Sequence, residues 1–119
     1  MIELAARGRK LPAPPRVVWR SLAEPHQPCA RPWLRLLDDE VEPSVVRSVE
    51  DQSLVWSSLW PSRPRDEVRL DVADAGNGET LLTFRLLTPD EAPDESKLGH
   101  LRFRLNHLFF ADLRFSHGQ

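Results

Sequence analysis

Apolar and polar residues alternate with a period of two through the middle of the chain. The clearest stretch begins at Glu67, and a second follows the tight turn Ala75-Gly76-Asn77-Gly78, whose Asn and Gly accept positive φ angles. This pattern predicts two antiparallel strands that bury one face and leave the other in water. The apolar positions on the buried face are Val68, Leu70, Val72, Leu82, Phe84 and Leu86.

The pattern becomes helical near the C-terminus. An acidic, proline-rich loop leads to one long predicted helix from about Asp94 to Phe115, capped by Asp94 or Ser96. At about 100° per residue, one face of this helix is apolar and has Asp112 in its middle. The apolar residues of that face are Leu98, Leu101, Leu105, Leu108, Phe109 and Phe115. An apolar face of this length needs a sheet to cover.

The first half of the chain predicts shorter elements. Residues 2–11 alternate weakly and predict a strand, and the prolines at 12–15 precede a helix over residues 16–22. A second short helix is predicted over residues 32–37, and two further strands near 41–49 and 54–60, with Pro43 at an edge or bulge. The predicted fold is therefore α+β: a curved antiparallel sheet around a long C-terminal helix, with two short helices after the first strand.

Length and charge limit the classes of protein. The 119 residues have the length of one domain, residues 1–119. The formal charge is −2 with both signs interspersed, so we expect no nucleic-acid partner. No segment is apolar enough to be a signal peptide or to cross a membrane, so we expect a cytoplasmic protein without a membrane partner.

Three segments are similar to segments of the START-like, or SRPBCC, superfamily. Residues 14–22 (PPRVVWRSL) look like the opening helix of that family, and residues 31–34 (RPWL) look like its tryptophan-containing second helix. Residues 68–72 followed by 78–82 are similar to its late hairpin. The chain departs from the family in being shorter, by the length of a hairpin before the last helix.

The resemblance implies the helix-grip fold, and a branch that includes polyketide cyclase-like proteins and activators of a chaperone ATPase. Members typically bind small hydrophobic molecules in a cavity under the C-terminal helix. The superfamily has no universal catalytic motif, so the resemblance assigns no catalytic residue here.

We therefore expect a small hydrophobic ligand between the last helix and the sheet. The residues predicted to line that space are Trp56, Phe84, Leu101, Leu105 and Leu108, with Asp112 at its edge. A desolvated Asp112 would have a raised pKa and suit a general acid or base; alternatively, it pairs with an arginine or caps a backbone amide.

The tryptophans and two phenylalanines also have alternative interpretations. Trp19, Trp33, Trp56 and Trp60 either line a pocket or fill the core, and Trp56 is expected to point inward. Phe103 and Phe110 are seven residues apart on one helical line. They form either a homodimer interface or a stripe covered by the sheet or the first strand.

Metal and cysteine chemistry have little support in the sequence. His100 and His107 are expected on the solvated face with Arg104, about two turns apart and too far apart to hold one ion. Cys29 is the only cysteine, which excludes an internal disulfide and a cysteine-based zinc site. It would be a nucleophile only with His26 or a distant histidine in reach. We expect no cofactor and no metal.

Three functional hypotheses remain open. The first is a module that binds a small hydrophobic molecule without changing it. The second is a cyclase, aromatase or hydrolase-like enzyme that uses Asp112 and an arginine such as Arg85. The third is a protein-interaction domain. An apolar cavity would favour the first, a cavity with a buried Asp112 the second, and a filled core the third.

Overall fold

Five strands form one antiparallel sheet in this computed structural model, which describes residues 1–28 and 30–118. The order across the sheet is β1-β5-β4-β3-β2, so β1 and β2 are its edges. The expectation that Pro43 lies at an edge fits, because the edge strand β2 begins just after it. The strands are β1 (Ile2–Leu11), β2 (Val45–Val49), β3 (Ser53–Ser57), β4 (Glu67–Gly76) and β5 (Glu79–Thr88).

The β4–β5 hairpin matches its prediction. All six apolar positions of the predicted face are buried, and they pair directly across the two strands: Val68 with Leu86, Leu70 with Phe84, and Val72 with Leu82. Asn77 and Gly78 turn the chain with φ angles of 55° and 74°. These left-handed angles suit the tight turn that matches the twist of a hairpin.

The first helix, α1 (Pro15–Ala23), has a proline at its first turn and buries Val18 and Leu22. The predicted second helix over residues 32–37 is wrong, because this segment is neither helix nor strand. Its backbone groups bond to side chains instead: the carbonyl of Arg35 accepts from Arg104, and the amide of Leu37 donates to Glu40. These contacts satisfy polar groups that a helix would otherwise pair.

The predicted C-terminal helix is present and consists of three pieces. It comprises α2 (Glu95–His107), a π-helical segment (Leu108–Leu113) and α3 (Arg114–Ser116), together residues 95–116. Of the two predicted caps, Asp94 is the one that forms, since its carboxylate accepts from the amide of Lys97 at 2.8 Å. No described helix is both long and apolar enough to cross a membrane.

The π-helical segment changes which residues face the sheet. Hydrogen bonds in a π-helix span one residue more than in an α-helix, so the helical phase slips by one position. Leu113 is fully buried in the place that regular α-helical spacing gives to Asp112. The predicted face is therefore right from Leu101 to Phe109, with Leu98 half-buried before it, and wrong beyond it, where Phe115 is 64% exposed.

We expect Leu105→Ala to lower the free energy of unfolding by about 2–5 kcal/mol, because Leu105 is fully buried at the centre of the helix face. Phe103→Ala is the matched control, since Phe103 is 64% exposed on the same helix. The control should change stability by less than about 0.5 kcal/mol. Urea unfolding followed by circular dichroism measures both, and equal stabilities for the two variants would contradict this packing.

Candidate functional site

The five apolar residues predicted to line a ligand cavity are brought together by the fold as part of one buried cluster. Trp56 points inward, as predicted, and its ring lies 5.3 Å from that of Phe109. Phe109 also contacts Phe84 at 5.9 Å, and Trp33 stacks on Trp56 at 6.1 Å. These aromatic rings occupy the space between the C-terminal helix and the sheet.

Asp112 lies away from this cluster. Its carboxylate is 3.4 Å from the Nε2 of His107, and its side chain is 19% exposed. It borders a small surface pocket of about 340 Å³ together with Arg31, Arg35 and Phe115. Asp112 is therefore not a buried acid or base. It pairs with another side chain, as the alternative interpretation expected, but the partner is a histidine and not an arginine.

Arg104 is buried, so its predicted place on the solvated face is wrong. Its guanidinium makes two hydrogen bonds of 2.8 Å to the carboxylate of Glu40, which is also buried. Burial alone would raise the pKa of Glu40, but the bonds from Arg104 and from the amide of Leu37 outweigh this and lower it. The pair links the segment before β2 to the C-terminal helix.

His100 lies near this pair: its Nε2 is 3.4 Å from a carboxylate oxygen of Asp39, the residue before Glu40. One ligand atom each from Asp39, Glu40 and His100 lie within 4.8 Å of one another. However, both oxygens of Glu40 already accept hydrogen bonds from Arg104, and that guanidinium would repel a cation. The cluster is better described as an ion-pair network than as a metal site.

We expect Glu40→Gln to lower the free energy of unfolding by about 3–5 kcal/mol, because it leaves the charge of Arg104 buried without a partner. Glu67→Gln is the matched control, since Glu67 pairs with an exposed Arg47 on the sheet surface. The control should cost no more than about 1 kcal/mol. Chemical denaturation compares them, and a Glu40 variant as stable as its control would contradict the role of the pair.

The predictions for Phe110, Arg85 and Cys29 have different outcomes. Phe110 packs against Phe84 with ring centroids 5.9 Å apart, so only Phe103 of the predicted stripe is exposed. The homodimer remains a prediction. Arg85 projects from the exposed face of β5 towards Glu3, so its predicted place in a pocket with Asp112 is wrong. Cys29 lies outside the described residues.

A pocket of about 490 Å³ lies at the end of the helix–sheet core, beside α1. We call it the α1 pocket. Its walls come from four parts of the chain: α1, the loop after it, the β2–β3 turn and the end of the C-terminal helix. They are formed by Arg16, Val17, Trp19, Arg20, Ser21, Glu24, Pro25, Gln27, Ala30, Arg31, Trp33, Glu50, Asp51, Ser116 and His117.

Two indole groups hold α1 against the sheet and so fix this wall. The N–H of Trp19 donates to the carbonyl of Ser53 at 3.0 Å, and that of Trp56 donates to the carbonyl of Leu22 at 3.0 Å. Because Val18 and Leu22 face the sheet, Arg16 and Arg20, two positions away, lie on the opposite, exposed side of α1 and line the pocket. The pocket wall thus follows from how α1 buries its apolar side.

Ser21, Arg31 and His117 form one end of the α1 pocket. The hydroxyl of Ser21 is 3.4 Å from the Nε2 of His117, and Arg31 donates to the carbonyl of Phe115 at 3.1 Å. Burial, and then the positive charge of Arg31, lower the pKa of His117. The lowered pKa favours the uncharged form of the imidazole at neutral pH, beside the guanidinium of Arg31.

This arrangement suits binding better than nucleophilic catalysis. A serine nucleophile needs a base at about 2.6–3.2 Å that a third group orients and that readily accepts a proton. Ser21 and His117 are farther apart, and the charged neighbour of His117 is an arginine that opposes its protonation. What the pocket does offer is hydrogen-bond donors, charged side chains of both signs and two indole rings.

We expect the stability of the protein to fall as pH drops below about 6.5, partly through His117. Its folded-state pKa is lowered, so the unfolded chain takes up the proton first as pH falls from the ordinary value towards the folded one. The contribution of His117 to the free energy of unfolding is therefore fully present above the ordinary pKa of histidine and is lost as the pH falls towards the folded-state pKa. His117→Asn should reduce the loss between pH 7.5 and pH 5 in urea titrations, and an unchanged loss would contradict the burial of His117.

Sequence patterns did not identify the residues of the α1 pocket as a site. One signal was present: Arg16 and Arg20 lie four residues apart, a like-charge pair that destabilises a helix by about 0.2–0.5 kcal/mol. His117 gave no signal, because it follows the predicted helix and meets Ser21 only through the fold.

No protein-family model matches this sequence, and no curated protein matches it. Solved structures do match. CalU16 from Micromonospora echinospora is 19% identical, with a TM-score of 0.67 over 95% of this chain and 74% of that one. The Aha1 dimer from Colwellia psychrerythraea is 12% identical, with a TM-score of 0.65 over 96% and 94%.

An AHSA1-like protein from Rhizobium etli is 15% identical, with a TM-score of 0.59 over 97% of this chain and 82% of that one. At these identities the similarity establishes the fold. The chain has the START-like (SRPBCC) helix-grip fold, as its sequence resemblance implies.

Proposed function

We propose that this chain is a small-molecule-binding domain, and that its ligand occupies the α1 pocket. The observation that carries the proposal is the size and lining of that pocket: about 490 Å³, with the indoles of Trp19 and Trp33 in its wall. Small-molecule sites have volumes of about 300–1,000 Å³ and combine aromatic walls with a few polar groups.

This proposal differs from the expected site between the C-terminal helix and the sheet. Leu101, Leu105 and Leu108 are fully buried there, and Trp56, Phe84 and Phe109 contact one another. A ligand in that space would have to displace packed side chains, and separating well-packed core groups is costly. A ligand in the α1 pocket displaces only water.

The filled core also favours a second candidate, a protein-interaction domain. Its specific support is Phe103, a large aromatic side chain that is 64% exposed on the C-terminal helix. One similar structure is described as a dimer, which is consistent with self-association through that surface. A cytoplasmic location stays a prediction under either candidate.

We expect the purified protein to bind N-phenyl-1-naphthylamine, a neutral aromatic probe whose fluorescence rises when it leaves water. Val17→Trp should raise the dissociation constant by about tenfold or more, because Val17 lines the pocket and a larger ring would fill it. Val46→Trp is the matched control, since Val46 is exposed on β2 outside the pocket wall.

Fluorescence titration distinguishes the candidates. Equal weakening by both substitutions would contradict the α1 pocket as the site. No binding by the unsubstituted protein would contradict the small-molecule proposal and leave the interaction domain.

A further inference from the structure

We propose that the α1 pocket selects molecules that carry a carboxylate on an apolar or aromatic body, with the carboxylate held between Arg20 and Arg31 beside Ser21 and His117. This inference rests on the proposed function and adds the chemical class of its ligand.

The first support is the charge of the wall. Arg16, Arg20 and Arg31 all line the pocket, and within residues 1–28 and 30–118 none of them forms a salt bridge. A guanidinium presents a rigid fork of N–H groups that matches a carboxylate in bidentate geometry. Because these arginines are not neutralised by described carboxylates, they remain available to a ligand.

The wall also contains acidic residues, and their positions matter. Glu24 ends α1, while Glu50 and Asp51 belong to the β2–β3 turn. Ser21, Arg31 and His117, in contrast, meet at the end of the C-terminal helix. An anion at that end is therefore beside Arg31, whereas Glu50 and Asp51 are in the separate β2–β3 turn and Glu24 caps the C-terminal end of α1.

The second support is the chemistry of Ser21 and His117. Burial, and then the charge of Arg31, lower the pKa of His117, so an anion at this end of the pocket would meet an uncharged imidazole beside a guanidinium. An uncharged imidazole and a hydroxyl supply two further polar groups for a carboxylate without adding a second negative charge.

The apolar part of the ligand has its own wall. Trp19 is half-buried and fixed by its bond to Ser53, while Trp33 is 3% exposed and stacks on Trp56. Rings fixed in this way present flat surfaces at low entropic cost on binding. Together with Val17 they suit an aromatic or alicyclic body attached to the carboxylate.

The experiment compares 2-naphthoate with 2-naphthamide, which have nearly the same shape and differ in charge. The affinity of each compound is measured in two ways: by its displacement of N-phenyl-1-naphthylamine from the protein, and by direct titration in a calorimeter. We expect naphthoate to bind about tenfold or more tightly than the amide. Arg20→Gln and Arg31→Gln should each weaken naphthoate binding much more than amide binding, and so remove most of this preference. Arg102→Gln, an exposed arginine on α2 outside the pocket wall, should leave the preference intact.

A spectroscopic measurement locates the carboxylate independently of affinity. Naphthoate should raise the pKa of His117, because the bound anion offsets the charge of Arg31. The pKa is measured from the pH dependence of the imidazole proton resonances. The amide carries no charge and should leave that pKa unchanged.

The outcomes separate the two proposals. If both naphthalenes bind equally, or if Arg102→Gln lowers the preference as much as Arg20→Gln and Arg31→Gln, the carboxylate inference is overturned and the small-molecule site stands. If neither binds by displacement or calorimetry, both proposals are overturned.

Discussion

The contact of Phe109 with Trp56 and Phe84 is the interaction on which the rest of this structure depends. It joins the C-terminal helix to the middle of the sheet with ring separations of 5.3 and 5.9 Å. Trp33 extends the cluster by stacking on Trp56 and also forms part of the α1 pocket wall. The same aromatic packing therefore fills the space under the helix and provides a rigid surface at its end, where room for a ligand remains.

The π-helical segment makes this packing compatible with the sequence. A regular α-helix would direct Asp112 into the apolar cluster, where an ionised carboxylate without a partner is costly. The extra residue per turn brings Leu113 into the core and lets Asp112 reach His107 near the surface. It also sets the phase of the last turn, after which His117 meets Ser21. A local change in hydrogen bonding thus determines both the core and one end of the pocket.

The buried pair of Arg104 and Glu40 has a complementary role. Residues 30–44, which precede β2 and include Arg31 and Trp33, form no helix or strand that could fix their path. Arg104 binds Glu40 and the carbonyl of Arg35, which attaches this segment to the C-terminal helix. Buried ion pairs contribute little net stability against apolar replacements, but a broken pair is strongly unfavourable. The pair therefore favours one path for the loop and so one shape for the pocket.

The sequence by itself determined the elements whose signals are local. The β4–β5 hairpin follows from alternation and an Asn-Gly turn, α1 from prolines before an apolar run, and the helix start from Asp94. The tertiary structure alone decided the π-helical phase, the irregular path of residues 32–37 and the burial of Arg104. It also assembled the α1 pocket. These features depend on partners far apart in the chain: Arg104 and Glu40 are separated by 64 positions, and Ser21 and His117 by 96. Periodicity describes neighbours within one element, so it carries no information about such contacts.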